Sequence, residues 1–456
     1  MDTRERNFVK KLEIGTSHFI DHAEKYQGIV SISHDDADGF ASGAVIQNMA
    51  KRSGLTCKSI THNNITPWNE LLTPLLAQYK NFCFIMTDLG SSIREVAPVL
   101  DKNLESDFFI LDHHLFNSQD LDLWPETVHF INPTEFGLNG LKEIAGATVA
   151  YNFAVHVNNK NRDSAWIALL GISGDTLMHA QDLRSFNRWV LEDALEEEQI
   201  IISNGLAAYG GSHRSLKDGL AGSILPFVPK CKGDSEIAAK LVEEVNIDPK
   251  MPLIDIDEEQ ATRIAEHLEC LDLVGDTIVF PKKNDVLRYG FEHAMILSII
   301  GSKNPVEAYN LIGRRSASKE MKKQYDSYMG EVIGNLAHFV SLSKVETSDA
   351  IIADVSELPY GTWSSVASYS SINQLYSPTK ILFLGGETDG AMKFSVRCMN
   401  EFLASHEGKG AKEVIEQITE KYGGAGGGHA LAGGIRLSFE EFEKAKKDGF
   451  KGFNLQ

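Results

Sequence analysis

Short apolar runs alternate with helical periodicity through residues 1–190. Ile29–Ser33 (IVSIS) reads as a strand and Gly39–Lys51 as the helix after it. Ser59–Thr61 ends a second strand, followed by a helix over Trp68–Ala77. Phe82–Thr87 (FCFIMT), Phe108–Leu111 (FFIL) and Val128–Ile131 read as further strands, and Gly146–Val157 and Ser164–Ile172 as helices. Strands alternating with helices predict an α/β lobe with a mostly parallel sheet. Such sheets bind ligands outside the carboxyl ends of their strands.

The pattern changes from Asp193 to Val345, where helical periodicity dominates, as in Ser235–Val245, Asp257–Leu271 and Pro305–Ile312. Lys319–Phe339 is predicted as one long helix linking two lobes. Residues 346–456 return to α/β patterning. Ala350–Val355, Lys380–Leu384 and Met392–Arg397 read as strands, and Glu413–Tyr422 as a helix. Gly423–Gly434 (GGAGGGHALAGG) reads as a glycine-rich loop, and Ile435–Leu437 as a final strand.

Composition adds bounds. The chain has 456 residues, 43% apolar and 23% charged, as in ordinary globular proteins, which excludes fibrous and wholly disordered classes. Its 44 basic and 63 acidic residues give a net charge of −19. That surplus weighs against a protein that coats nucleic acid through a basic surface. The charged opening MDTRERNFVKKLEIG carries no apolar signal core. No apolar run approaches the ~18 residues of a membrane span. Five cysteines without a CxxC pair predict neither a zinc knuckle nor a disulfide framework, and point to a reducing cytoplasm.

Candidate chemistry sits where apolar segments end. His34-Asp35-Asp36-Ala37-Asp38-Gly39 follows IVSIS, Asp88 closes FCFIMT, Asp112-His113-His114 closes FFIL, and Asp175 follows ALLGISG. In a parallel sheet these ends converge. Gathered carboxylates repel and take up protons unless a cation compensates them. Carboxylate oxygens with one or two imidazoles suit Mn²⁺ or Mg²⁺. Four carboxylates and a histidine are enough for two ions, an arrangement typical of phosphoester hydrolysis.

HDDADG, TD, LDHH, GISGDT and GGGHALAGG, in that order, resemble the motifs of DHH phosphoesterases that carry the DHH-associated C-terminal domain. Within that superfamily the chain is most similar to RecJ-like single-strand exonucleases of the archaeal type. The resemblance implies a catalytic DHH domain over residues 1–190, a mainly helical insertion and linker over 191–345, a smaller α/β substrate-binding domain over 346–456, and a cleft between lobes. It implies Asp36, Asp38, Asp88, His113 and Asp175 as metal ligands, with Asp88 bridging. Asp112 would orient a histidine, His114 would contact the scissile phosphate, and His34 is either a ligand or a phosphate contact. Some branches of the family carry a ligand histidine four residues before the first motif aspartate. Here Ile32 holds that position.

The glycine-rich segment lacks Walker and dinucleotide spacing. Its glycines allow amides to approach a phosphate, and His429 adds a donor. Arg397 closes MKFSVR with a guanidinium suited to phosphate. Arg397, Gly427, Gly428 and His429 are therefore the candidate substrate contacts. The activity implied is two-metal hydrolysis of single-stranded DNA or RNA from an end, in replication or repair, with Mn²⁺ as first choice and Mg²⁺ as the alternative. The competing readings are a phosphodiesterase of small nucleotides, such as oligoribonucleotides or cyclic dinucleotides, and a replication-complex scaffold that binds a protein partner. On the leading reading, part of the −19 charge is a cation-holding cluster that becomes a phosphate-binding centre.

Overall fold

The computed structural model describes all residues except 64–65, 104, 141, 176–178, 429 and 449–456. Internal contacts divide the chain into two units. The first comprises residues 1–207, 253–262 and 274–325, and the second 208–252, 263–273 and 326–456. The segment 191–345 is thus shared between both. A 23-residue helix, Lys319–Ser341, carries the chain from the first unit into the second.

The first unit is built on five strands, β1 (Gly28–His34), β2 (Thr56–His62), β3 (Cys83–Thr87), β4 (Phe108–Leu111) and β5 (Val128–Ile131). They lie in the order β2-β1-β3-β4-β5, and every pair is parallel. The apolar runs follow from this. A strand covered on both faces has no polar side to present, and β1, β3 and β4 are buried almost throughout. Helices α1 (Thr3–His22), α2 (Ala37–Arg52), α3 (Trp68–Gln78), α4 (Ile93–Leu100), α5 (Gly146–Val157) and α6 (Ala165–Gly174) follow the chain. Residues Trp68, Leu72, Leu76, Val96 and Leu100 of α3 and α4 pack on Val30, Ile32, Phe84, Met86, Phe108 and Ile110 of one sheet face. Helices α1, α2 and α5 cover the other.

Two elements of this unit lie outside those read from the sequence pattern. The charged opening forms α1, which begins with an Asp2–Glu5 capping box and buries Phe8, Leu12 and Phe19. Burial of that stripe outweighs the polar composition. An antiparallel ribbon of β6 (Ile201–Leu206) and β7 (Val274–Val279) interrupts the helical middle.

The second unit carries a six-stranded mixed sheet of β8 (Val345–Glu346), β9 (Ala350–Asp354), β10 (Ile381–Thr388), β11 (Ala391–Arg397), β12 (Ala425–Gly428) and β13 (Ala432–Leu437). Its order is β12-β13-β11-β10-β9-β8. Val414, Ile415 and Ile418 of the helix Ala411–Tyr422 pack on Phe383, Phe394, Val396 and Ile435. The glycine-rich segment is corrected here. Residues 425–428 form an edge strand paired antiparallel with β13, so the run is mostly a hairpin. The left-handed backbone of a turn comes earlier, at Gly423 (φ 95°) and Gly424 (φ 94°). Among the described residues, no helix is long and apolar enough to cross a membrane.

Candidate metal centre

The strand order puts the site between β1 and β3. The chain leaves β1 for β2 on one side and returns to β3 on the other, which opens a crevice at the carboxyl ends of β1 and β3. Register then aligns the ends. Ser33 pairs with Thr87, Thr87 with Leu111, and Leu111 with Ile131. The next residues along each strand are His34, Asp88, Asp112 and Asn132, in one row. The Asp88 amide donates to Leu111 O at 2.9 Å and the Asp112 amide to Ile131 O at 3.3 Å, extending the ladder to the acids themselves.

Asp36 caps α2, accepting from the Gly39 amide at 3.0 Å. Asp38 lies in the first turn of α2, and its carboxylate accepts from the Gly146 and Ala147 amides at 2.8 Å each. The amino end of α5 thus holds one carboxylate through two orphan amides. This approach needs glycine. A Cβ at Gly146 would stand 2.7 Å from Asp38 Oδ2, and one at Gly171 would overlap Asp38 Oδ1. Asp88 has φ 58°, the left-handed region that short polar side chains tolerate best. Asp175 caps the carboxyl end of α6.

Around Asp88 the side chains are closely spaced. His113 Nε2 lies 3.1 Å from Asp88 Oδ1, 3.6 Å from Asp38 Oδ2 and 3.7 Å from Asp175 Oδ2. His34 Nδ1 lies 2.8 Å from Asp36 Oδ2 and 3.8 Å from Asp88 Oδ2. His114 Nδ1 lies 2.8 Å from Asp112 Oδ1 and 3.8 Å from Asp88 Oδ1. Three overlapping ligand groups result: His34/Asp36/Asp88, Asp88/His113/His114 and Asp38/His113/Asp175. All eight first-unit candidates, His34, Asp36, Asp38, Asp88, Asp112, His113, His114 and Asp175, therefore meet in one cluster. Asp88 is central to it, since each of the three histidines comes within 3.8 Å.

The donors suit a divalent cation. His113 Nδ1 lies 2.7 Å from Gly140 O; donating there leaves Nε2 as a lone pair facing three carboxylates. Such an arrangement needs a proton or a metal between the groups. Burial, then Asp38 and Asp36, pushes the Asp88 carboxyl well above the usual range. Burial and Asp38 do the same to Asp175. Burial opposes charging of His113, but hydrogen bonding to Asp88 and the Asp175 charge overcome it and raise its pKa well above normal. Asp175 Oδ2 and Asp112 Oδ2 are shielded from solvent without a hydrogen-bond partner, which leaves lone pairs for a cation or its water.

This protonation has a measurable consequence. Raised carboxyls hold protons in the folded chain that the unfolded chain releases near its ordinary pKa of 3.8. They therefore cost metal-free stability as pH rises from that value toward the folded pKa. A bound dication replaces those protons. The thermal stabilisation produced by Mn²⁺ is expected to be larger at about pH 8 than at about pH 5.5. A shift that stayed constant or shrank with pH would contradict metal binding by these carboxylates.

Asn132 is a residue beside the cluster that the periodicity does not reveal. It is fully buried, and its Nδ2 donates to His114 O at 2.9 Å, fixing the histidine loop. Its only local signal is a polar residue closing a strand before proline. Gly140, Gly146 and Gly171 likewise serve the site by close approach.

In the second unit, Arg397 donates to Ser368 Oγ at 3.1 Å, Ser364 Oγ at 2.8 Å and Val396 O at 2.8 Å. All are neutral oxygens, and among the described residues no carboxylate pairs with it. Gly427 and Gly428 are exposed on the edge strand, and His429 lies outside the described residues. A cavity of about 320 Å³ adjoins this face, lined by Tyr360, Trp363, Lys393, Ser395 and Arg436. Tyr360 is 56% exposed, with Lys393 Nζ 4.8 Å from its ring centre.

Comparison with known proteins places these features. Residues 28–172 match the N-terminal domain of the DHH family. An uncharacterized protein of Methanocaldococcus jannaschii is 24% identical over 444 residues, covering 92% of each chain. CDC45 from Entamoeba histolytica shares the fold with a TM-score of 0.67 at 14% identity, over 96% of this chain and 97% of that one. RecJ from Thermus thermophilus, crystallised with Mn²⁺, shares it with a TM-score of 0.51 at 15% identity, over 97% of this chain and 54% of that one. Residues 28–172 are thus similar to the N-terminal domain of the DHH family, in a chain that shares its fold with RecJ.

Proposed function

We propose that the protein is a metal-dependent phosphodiesterase that hydrolyses single-stranded DNA or RNA from an end. One observation carries this reading: Asp36, Asp38, Asp88, His113 and Asp175 converge with His34 and His114 at the switch point of the sheet. The RecJ likeness supports it, since that structure holds Mn²⁺. Asp38, Asp88, His113 and Asp175 would hold one dication, and Asp36, Asp88 and His34 a second. When bound, the ions would supply Lewis acidity and a more acidic water.

The chain's own residues do the rest. The α5 amides hold Asp38, and Gly140 holds His113, so the ligands are set before substrate arrives. Asp112 holds the half-exposed His114 at Nδ1, which leaves Nε2 to donate to a phosphate oxygen. The second unit supplies a binding face of Arg397, the Gly427–Gly428 strand edge and the Tyr360 cavity, where bases stack without sequence preference.

A digestion time course tests the reading. End-labelled single-stranded DNA and RNA, with Mn²⁺ or Mg²⁺, should shorten progressively, and chelation should stop the reaction. Failure to cleave either polymer with either metal would overturn it. Faster cleavage of a dinucleotide than of a ~20-nucleotide strand would favour the small-nucleotide alternative. Arg397→Ala should raise KM about tenfold with kcat nearly unchanged, because it removes ground-state phosphate binding. An unchanged KM would reduce Arg397 to a structural link between β11 and the helix Trp363–Ile372.

The CDC45 likeness favours a second reading, a scaffold within a replication complex. A metal-free, inactive chain that still captured a replication protein would support it. The complete donor set argues that catalysis is retained beside any such role.

A further inference from the structure

A second set of metal-ligating side chains lies at the opposite edge of the same parallel sheet. Asp107 immediately precedes β4 and Asp112 immediately follows it. At about 3.3 Å per residue the two acids are about 16 Å apart. Near Asp107 stand His129, early in β5, and His18 of α1. Their ligand atoms all lie within 4.8 Å of one another, and none belongs to the centre described above.

The geometry resembles a prepared site. His18 Nε2 is 3.3 Å from Asp107 Oδ1. Ligands held at about 2.0–2.1 Å in a tetrahedron are themselves about 3.3 Å apart. His18 Nε2 and His129 Nε2 are both shielded from solvent, and neither makes a hydrogen bond. Each ring is held by stacking, His18 on His22 (centroids 4.1 Å, 9°) and His129 on Phe109 (4.8 Å, 16°). The Tyr26 hydroxyl donates to Asp107 Oδ2 at 2.6 Å, which orients the carboxylate and leaves Oδ1 toward the imidazoles, as outer hydrogen bonds do around metals.

We propose that His18, Asp107 and His129 bind a transition-metal dication, with Zn²⁺ the best match. Two imidazoles and one carboxylate with a fourth position open to water suit it, whereas Mg²⁺ and Ca²⁺ prefer all-oxygen sites. The ion would clamp α1 to β4 and β5. Its role is stability of the N-terminal helix, separate from hydrolysis.

The test counts Zn²⁺ bound to the full-length chain, to His18→Gln and to His129→Gln, alongside thermal unfolding and Co²⁺ absorption. The full-length chain should bind one more ion than either variant, and each variant should lose affinity for that ion about 100-fold. Mn²⁺-dependent hydrolysis should be unchanged in both variants. In Asp88→Asn, which disturbs only the other centre, the Zn²⁺-induced thermal shift should persist. Equal Zn²⁺ stoichiometry in the unsubstituted chain and both variants overturns the proposal. If one variant fails to fold by circular dichroism, the other and Asp107→Asn decide it.

Discussion

Asp88→Asn is expected to slow metal-dependent phosphodiester hydrolysis by ~10³-fold or more, about 4 kcal/mol of lost transition-state stabilisation. Asp88 is the one carboxylate within 3.8 Å of all three histidines, so its loss affects every ligand group it shares. Asparagine is the informative replacement. It tolerates the left-handed backbone at φ 58°, and its side-chain amide can donate to the His113 Nε2 lone pair. It also removes a carboxyl whose ionisation burial, Asp38 and Asp36 all oppose. The metal-free variant should therefore unfold at the same temperature as the parent or higher, while the Mn²⁺-induced shift disappears. Activity retained in a purified, folded Asp88→Asn would remove the two-metal assignment.

Gly171→Ala should have the second-largest effect, opposite to that expected from helix propensity. Alanine in a helix interior gains about 1 kcal/mol over glycine. Here a Cβ would overlap Asp38 Oδ1 and stand 2.5 Å from the Ala147 Cβ. Overpacking of a filled interior costs about 1–3 kcal/mol, sometimes more, so the net effect is destabilisation. Displacing Asp38 from its two α5 amides also moves a proposed metal ligand, and about 1 Å of misplacement can cost ~10²-fold in rate. Urea denaturation and the Mn²⁺-dependent rate should both fall. Higher stability with intact activity would show that α6 and α2 have room the geometry denies.

Much of the first unit can be read locally. The runs IVSIS, FCFIMT and FFIL are strands because a sheet covered on both faces accepts only apolar side chains, and their boundaries shift by a residue or two at most. Local patterning failed where composition misleads. Thr3–His22 hides an apolar stripe among charges. The run Gly423–Gly434 suggests a loop, yet β13 gives the glycines a partner and makes them a strand. Asp193 opens the acidic run DALEEE, yet it is engaged, accepting from Tyr151 at 2.6 Å and from Arg162 at 2.5 Å.

The chemistry of the centre was written in residue types: acids and imidazoles at the ends of apolar segments, with no thiol among them. Those follow from sequence because strand ends and donor atoms are local properties. Which ends meet is decided by the order β2-β1-β3-β4-β5 and by a register that sets His34, Asp88, Asp112 and Asn132 side by side. Protonation is decided there too, since burial and neighbours within about 4 Å set it. The second cluster makes the same point. His18, Asp107 and His129 are about 20 to 110 positions apart in the chain, with no motif among them, and only the packing of α1 against β4 and β5 brings their ligand atoms within 4.8 Å.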